Sequence, residues 1–157
     1  MTNCNLMNRG MHHVGFVVKN LENAIEKFEA DFGIIDFARY LFVPRKAWYR
    51  GEALDGFRLQ VGMLAVQNGC TIELVQPLEG RSLFREFLDN GDEGLHHITF
   101  NVDNFEWWKG DLQRRDIPLL FESETEDTTI GFRRNLFFND RTLGTIFEIR
   151  EIPYFRV

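Results

Sequence analysis

All four histidines of the chain fall in two matching stretches, GMHHVGF at 10–16 and GLHHITF at 94–100. Each stretch sets two adjacent imidazoles in the frame Gly-(Met/Leu)-His-His-(Val/Ile)-x-Phe. Two carboxylates recur in register with them. Glu73 stands inside TIELV and Glu148 inside IFEIR, apolar runs where a carboxylate is unfavourable unless its face is wet or its charge is compensated. Two imidazoles and two carboxylates, delivered at equivalent positions by two copies of one unit, make a pseudo-symmetric ligand set for one borderline divalent metal of the Co, Zn, Ni, Mn or Fe kind. Two waters would complete six-coordination.

Strand geometry selects one imidazole from each pair. Side chains alternate faces along a strand, so His12 is expected to share a face with Val14, Phe16 and Val18, and His96 with Ile98, Phe100 and Val102. Those apolar faces must be covered by helices. His13 and His97 then fall on the opposite face, where neighbours are smaller or more polar and a cavity can form. The expected ligands are therefore His13, Glu73, His97 and Glu148. His12 and His96 are expected to be structural, packing or bonding to nearby backbone.

The elements that must position these groups also come in two copies. Aligning the histidine pairs brings Phe16 over Phe100, Val18 over Val102, Asn20 over Asn104 and Glu22 over Glu106. Each copy reads as a strand of period two, an asparagine N-cap and an amphipathic helix. The helix stripes are Leu21, Ala24, Ile25, Phe28 and Phe32 in the first copy, closed by Gly33, and Phe105, Trp108 and Leu112 in the second. Each copy ends in an apolar strand, GCTIELVQP or GTIFEIREIP, with Gly69 or Gly144 four residues ahead of the glutamate. His13 to Glu73 spans 60 residues and His97 to Glu148 spans 51, which places the extra length of the first copy in the Arg39–Phe57 segment. The units expected are a first module over 9–79, a linker helix within 80–93 carrying Leu83, Phe84, Phe87 and Leu88, and a second module over 94–153, together one domain. ESETEDTT at 122–129, acidic and threonine-rich, is expected to be a mobile loop.

Composition bounds the function. With 157 residues and 44% apolar content the chain can bury one core. A net charge of −6 argues against a nucleic-acid surface, and no apolar run approaches the roughly 20 residues of a membrane span. The N-terminal MTNCNLMNRG has no apolar signal region, so the expected location is cytoplasmic. Cys4 and Cys70 form no CxxC motif and are read as free thiols. Arg45, Lys46 and Arg50, within RYLFVPRKAWYRG, are the candidate substrate-binding cations. Nucleotide-binding glycine loops, GxSxG and a Ser-His-Asp grouping are absent.

From about residue 9 to 153 the chain resembles the vicinal oxygen chelate superfamily, the group of glyoxalase I, methylmalonyl-CoA epimerase, extradiol dioxygenases and antibiotic-resistance proteins. The segments MHHVGFVVKNLENAIEKF, TIELVQPLEG, GLHHITFNVDN and IFEI carry the resemblance in that order, most nearly in the epimerase form. It implies an α+β fold of two βαβββ modules forming a curved, mostly antiparallel sheet around a central metal, commonly in a homodimer. It further implies proton transfer beside a carbonyl through a metal-stabilised enolate, on a small-molecule substrate such as an acyl-CoA. Glu148 is the first candidate base and Glu73 the second. Alternatives left open are a lactoylglutathione lyase of the glyoxalase I type, an extradiol-type dioxygenase, and a small-molecule or antibiotic-binding protein. The strand GFRLQVGML, where some epimerases supply a further catalytic glutamate, has Arg58 and Gln60 but no acid.

Overall fold

The computed structural model of the chain describes residues 5–65, 70–129, 131–141 and 143–153, so Cys4 and Gly69 lie outside the described residues. After a 3-10 turn at Leu6–Arg9, β1 (Met11–Val17) leads into α1 (Leu21–Phe32). The chain continues through β2 (Ala38–Phe42), β3 (Lys46–Tyr49), β4 (Glu52–Ala53), β5 (Arg58–Ala65) and β6 (Thr71–Glu79). α2 (Leu83–Asp89) connects to β7 (Gly94–Val102), α3 (Phe105–Arg114), β8 (Leu119–Asp127), β9 (Gly131–Asp140) and β10 (Thr145–Glu151).

All ten strands join one sheet in the order β2-β5-β6-β1-β7-β10-β9-β8-β3-β4. The two copies meet where β1 runs antiparallel to β7, and each of these central strands has a parallel neighbour, β6 or β10. Every remaining pairing in the sheet is antiparallel. This is the curled α+β sheet that the resemblance implies. The extra length of the first copy forms β3 and β4, which leave their own half: β3 pairs with β8 at the far edge of the other, and β4 pairs with β3.

Alternation along the strands separates two faces. Val18, Leu74, Leu136 and Phe138 lie on the outer face against α1 and α3, with Leu21 and Ile25 of α1 and Phe105, Trp108 and Leu112 of α3. Their neighbours Val17, Val75 and Phe137 point inward and share a core with Leu83 and Phe84 of α2, Phe57 and Phe121. α2 therefore fills the base of the curl, opposite the two repeat helices. Asn20 Oδ1 accepts from Asn23 N at the start of α1, and Gly33 closes it in the left-handed conformation.

Three local expectations change. Phe32 is 69% exposed, because the chain turns away at Gly33 before it can reach the sheet. Asn104 holds the N-cap position of α3 but makes no side-chain capping bond. ESETEDTT is no loop over most of its length, since β8 runs to Asp127. Its alternation is polar on both faces: Ser123 and Thr125 point inward, while Glu122 and Glu126 face outward to Lys109 and Arg45. Hydropathy alone cannot register such a strand.

Candidate metal centre

The register of β1 against β7 contains two irregularities, and each falls on the first histidine of a pair. Met11 lies opposite Phe100 and His13 opposite Thr99, which leaves His12 as an extra residue; Gly15 lies opposite His97 and Phe16 opposite Leu95, which leaves His96 as another. A bulge interrupts the period of two and re-aims the side chain at the extra position. Both extra histidines consequently turn inward, beside their neighbours, and neither faces α1 or α3. His12 lines the same cavity as His13. His96 packs against Phe84 and Phe87 of α2, with ring centroids 5.5 and 4.9 Å away. This corrects the face expected for both.

Inside the curl, β1, β6, β7 and β10 each supply one side chain to a common point. His13 Nε2 lies 3.3 Å from His97 Nε2, 3.3 Å from Glu148 Oε2 and 3.6 Å from Glu73 Oε1. His97 Nε2 is 3.6 Å from an oxygen of each glutamate. His13, His97 and Glu148 are buried, and the Glu73 side chain retains 13% exposure. Gly15 makes room for the cluster. A Cβ at that position would fall 2.0 Å from Cε1 of His97, so only glycine lets the imidazole lie across β1.

The donor set fits a divalent ion. Ligands about 2.1 Å from one centre lie roughly 3 to 3.5 Å from each other when adjacent, close to the 3.3–3.6 Å found here. The remaining ring nitrogens are also engaged: His12 Nδ1 is 2.7 Å from His13 Nδ1, and His96 Nδ1 is 3.0 Å from His97 Nδ1. An Nδ1–H on His13 or His97 donating to the preceding histidine leaves Nε2 with its lone pair aimed at the centre. Burial lowers the His12 and His96 imidazoles to about 4 and about 3, which keeps both neutral and able to accept.

The charges are strongly coupled. Burial alone would raise the Glu148 carboxyl, but the hydrogen bond and charge of His13, with His97 and Thr99, hold it well below the usual carboxylate range. Glu73 is lowered in the same way by His13 and His97 against its own burial. Burial alone would lower His13, yet Glu73 and Glu148 raise it. Glu148 is anchored at both oxygens, by Thr99 Oγ1 donating to Oε2 at 2.5 Å and by Asn135 Nδ2 donating to Oε1.

The cavity at this cluster is about 60 Å³ and is walled by Phe42, Leu59, Val61, Phe121 and Phe137. Arg45, Lys46 and Arg50 do not line it. Arg45 pairs with Glu126 and Arg50 with Glu86, both on the outside, and Lys46 is exposed on β3. The cations that line the cavity are Arg133 and Arg150. Their signal in the sequence is period two: Arg150 shares a face with Glu148, and Arg133 with Phe137.

A family model described as the glyoxalase/bleomycin resistance protein/dioxygenase superfamily matches residues 12–132. The chain belongs to this superfamily. No curated protein sequence matches it significantly. Among solved structures, methylmalonyl-CoA epimerase from Mycobacterium tuberculosis is similar at 23% identity and TM-score 0.62, over 98% of this chain and 93% of that one. A variant of the Streptomyces coelicolor epimerase bound to 2-nitronate-propionyl-CoA is 19% identical with TM-score 0.60, over 90% and 95%. A mutant 4-hydroxymandelate synthase from Streptomyces coelicolor is 15% identical with TM-score 0.58, covering 94% of this chain and 50% of that one. At these identities the likeness to epimerases and synthase is one of fold.

Proposed function

We propose that the protein is a divalent-metal-dependent isomerase that moves a proton at the carbon beside a carbonyl, in the manner of methylmalonyl-CoA epimerase. The observation that carries this reading is the convergence of His13, Glu73, His97 and Glu148 on one point at the wall of a small, aromatic-lined cavity. A bound divalent ion would supply Lewis-acid stabilisation of negative charge on a carbonyl oxygen. The buried imidazoles would hold that ion through Nε2, with orientation fixed from behind by His12 and His96. The apolar wall keeps the reacting group out of bulk water.

Proton movement falls to the two glutamates. Glu148 is held by Thr99 and Asn135, whereas Glu73 meets the two imidazoles and keeps some exposure, so it has the greater freedom to swing toward a substrate. Epimerisation needs proton removal on one side of the carbon and delivery on the other, and Glu73 and Glu148 are the acids at the centre for both tasks. The cavity accepts the reacting head of a substrate, and any larger thiol carrier would extend through its mouth.

A glyoxalase-type lyase, acting on the thiol adduct of an oxo-aldehyde, is the second reading. It is favoured by Glu73, a carboxylate equally suited to that chemistry. A dioxygenase is less well supported, because its facial triad uses one carboxylate and leaves positions open for oxygen and catechol, whereas two carboxylates meet here. Proton NMR in D₂O, with metal-loaded protein offered methylmalonyl-CoA, propionyl-CoA or the glutathione hemithioacetal of methylglyoxal, discriminates among these. Exchange of the methylmalonyl α-proton is expected. Conversion of the hemithioacetal alone would select the lyase, and oxygen-dependent consumption of a catechol with no exchange would overturn both.

A further inference from the structure

Arg133 is 9% exposed, and it and Arg150 enter the cavity from β9 and β10, the strands that carry Asn135 and Glu148. Among the described residues neither arginine has a carboxylate partner within ion-pair distance. The arginines of the Arg39–Arg50 stretch behave differently, since Arg39, Arg45 and Arg50 each hold an acid. Among the described residues Arg150 makes one long bond, from Nη1 to Asn101 Oδ1 at 3.4 Å. Arg133 Nε, Ser123 Oγ and Asn135 Oδ1 are buried without a partner, and all three residues line the cavity. A guanidinium withdrawn from water is costly unless it is paired. An anion that belongs in this space is the simplest source of compensation.

Charge counting sharpens this. Glu73 and Glu148 would balance a divalent ion, so Arg133 and Arg150 leave two positive charges in the cavity. We propose that Arg133 and Arg150 form an anion subsite that takes a carboxylate of the substrate beside the metal centre, with Ser123 and Asn135 as polar partners. A substrate with one free carboxylate neutralises one arginine in the ground state. As a glutamate takes the neighbouring proton its negative charge passes to the substrate, so the net charge of the site is unchanged and the second arginine stays available to the charge the substrate now carries. The cavity of about 60 Å³ takes a small anion, and the planar oxygen pair of a carboxylate matches a guanidinium fork, which is why a carboxylate is assigned.

This inference rests on the proposed function for the identity of the neighbouring centre, but its test stands apart. Calorimetric titration of the metal-loaded protein with malonate, with malonamide of the same size, and with inorganic phosphate reads the subsite directly. Malonate should bind at least ten-fold more tightly than malonamide and more tightly than phosphate. Arg133→Gln and Arg150→Gln should each remove most of the difference at unchanged metal content. Arg150→Lys, which keeps the charge, should restore part of it, and this variant together with the wild-type comparison holds should a glutamine variant fail to fold. Equal affinity for malonate and malonamide, undetectable malonate binding, or stronger phosphate binding would overturn the carboxylate subsite whatever the metal content. A protein that holds no metal yet keeps the malonate preference would support the subsite and overturn the metal-dependent function instead.

Discussion

His12 Nδ1 lies 2.7 Å from His13 Nδ1, and the pair His96 and His97 repeats the relationship at 3.0 Å. In each case the first histidine is the extra residue of a bulge and the second faces the candidate metal centre. In the proposed centre the doubled histidine would be a ligand with its own orienting partner. The bulge lets two consecutive residues of a strand face one way. Replacing an orienting partner of this kind typically costs about 10 to 100-fold in metal affinity. His12→Ala is expected to lower affinity by that range in a competitive chelator titration, with one ion per chain still bound at saturation. Unchanged affinity would show that His12 does not orient His13.

Gly15 supplies the space that His97 occupies. An added Cβ would stand 2.0 Å from Cε1 and 2.2 Å from Nε2 of the ring, so the buried imidazole itself would have to shift. Gly15→Ala should displace the imidazole, abolish tight metal binding and cost about 1–3 kcal/mol of stability, the usual range for overpacking a filled site. Metal titration and urea denaturation measure the two effects. A variant that binds metal normally would place His97 elsewhere.

Occupancy should fall on acidification. Metal and protons compete for the same nitrogen lone pairs, and His13 binds its proton above the ordinary imidazole value because Glu73 and Glu148 lie beside it. The metal-free form therefore takes up a proton as pH drops through this raised value, and apparent affinity weakens from that point downward. Dialysis against buffered metal between pH 8 and 5 should show the decline starting above 6.5. Constant affinity to pH 5 would exclude His13 as a ligand.

The two glutamates should be separable by isotope exchange. If Glu73 and Glu148 serve opposite sides of the reacting carbon, Glu73→Gln should end interconversion of the two enantiomers yet leave one of them exchanging its α-proton in D₂O. Glu148→Gln should spare the other enantiomer. Each lost exchange should slow by about 10²–10⁴-fold, the ordinary contribution of a positioned base. If one variant removes all exchange and the other none, a single glutamate performs both transfers.

The four converging side chains were legible in the sequence because repetition in register is independent of local geometry. Phe105, Trp108 and Leu112 were legible because a three-turn apolar stripe admits one period. His12 and His96 escaped because strict alternation assumes an uninterrupted ladder, and a bulge leaves no mark in residue type. β8 escaped because both its faces are polar along Glu122–Glu126. Arg133 and Arg150 escaped for a related reason: Arg45, Lys46 and Arg50 cluster along the chain and attract notice, whereas two arginines 17 residues apart meet only through the pairing of β9 with β10.

Metal content decides the centre itself. Protein purified without chelator should carry one divalent ion per chain by elemental analysis, and His97→Ala, its folding checked by circular dichroism, should carry none after the same purification. An ion retained at full stoichiometry in the folded His97→Ala variant would contradict the assignment of His13, Glu73, His97 and Glu148 as the metal site.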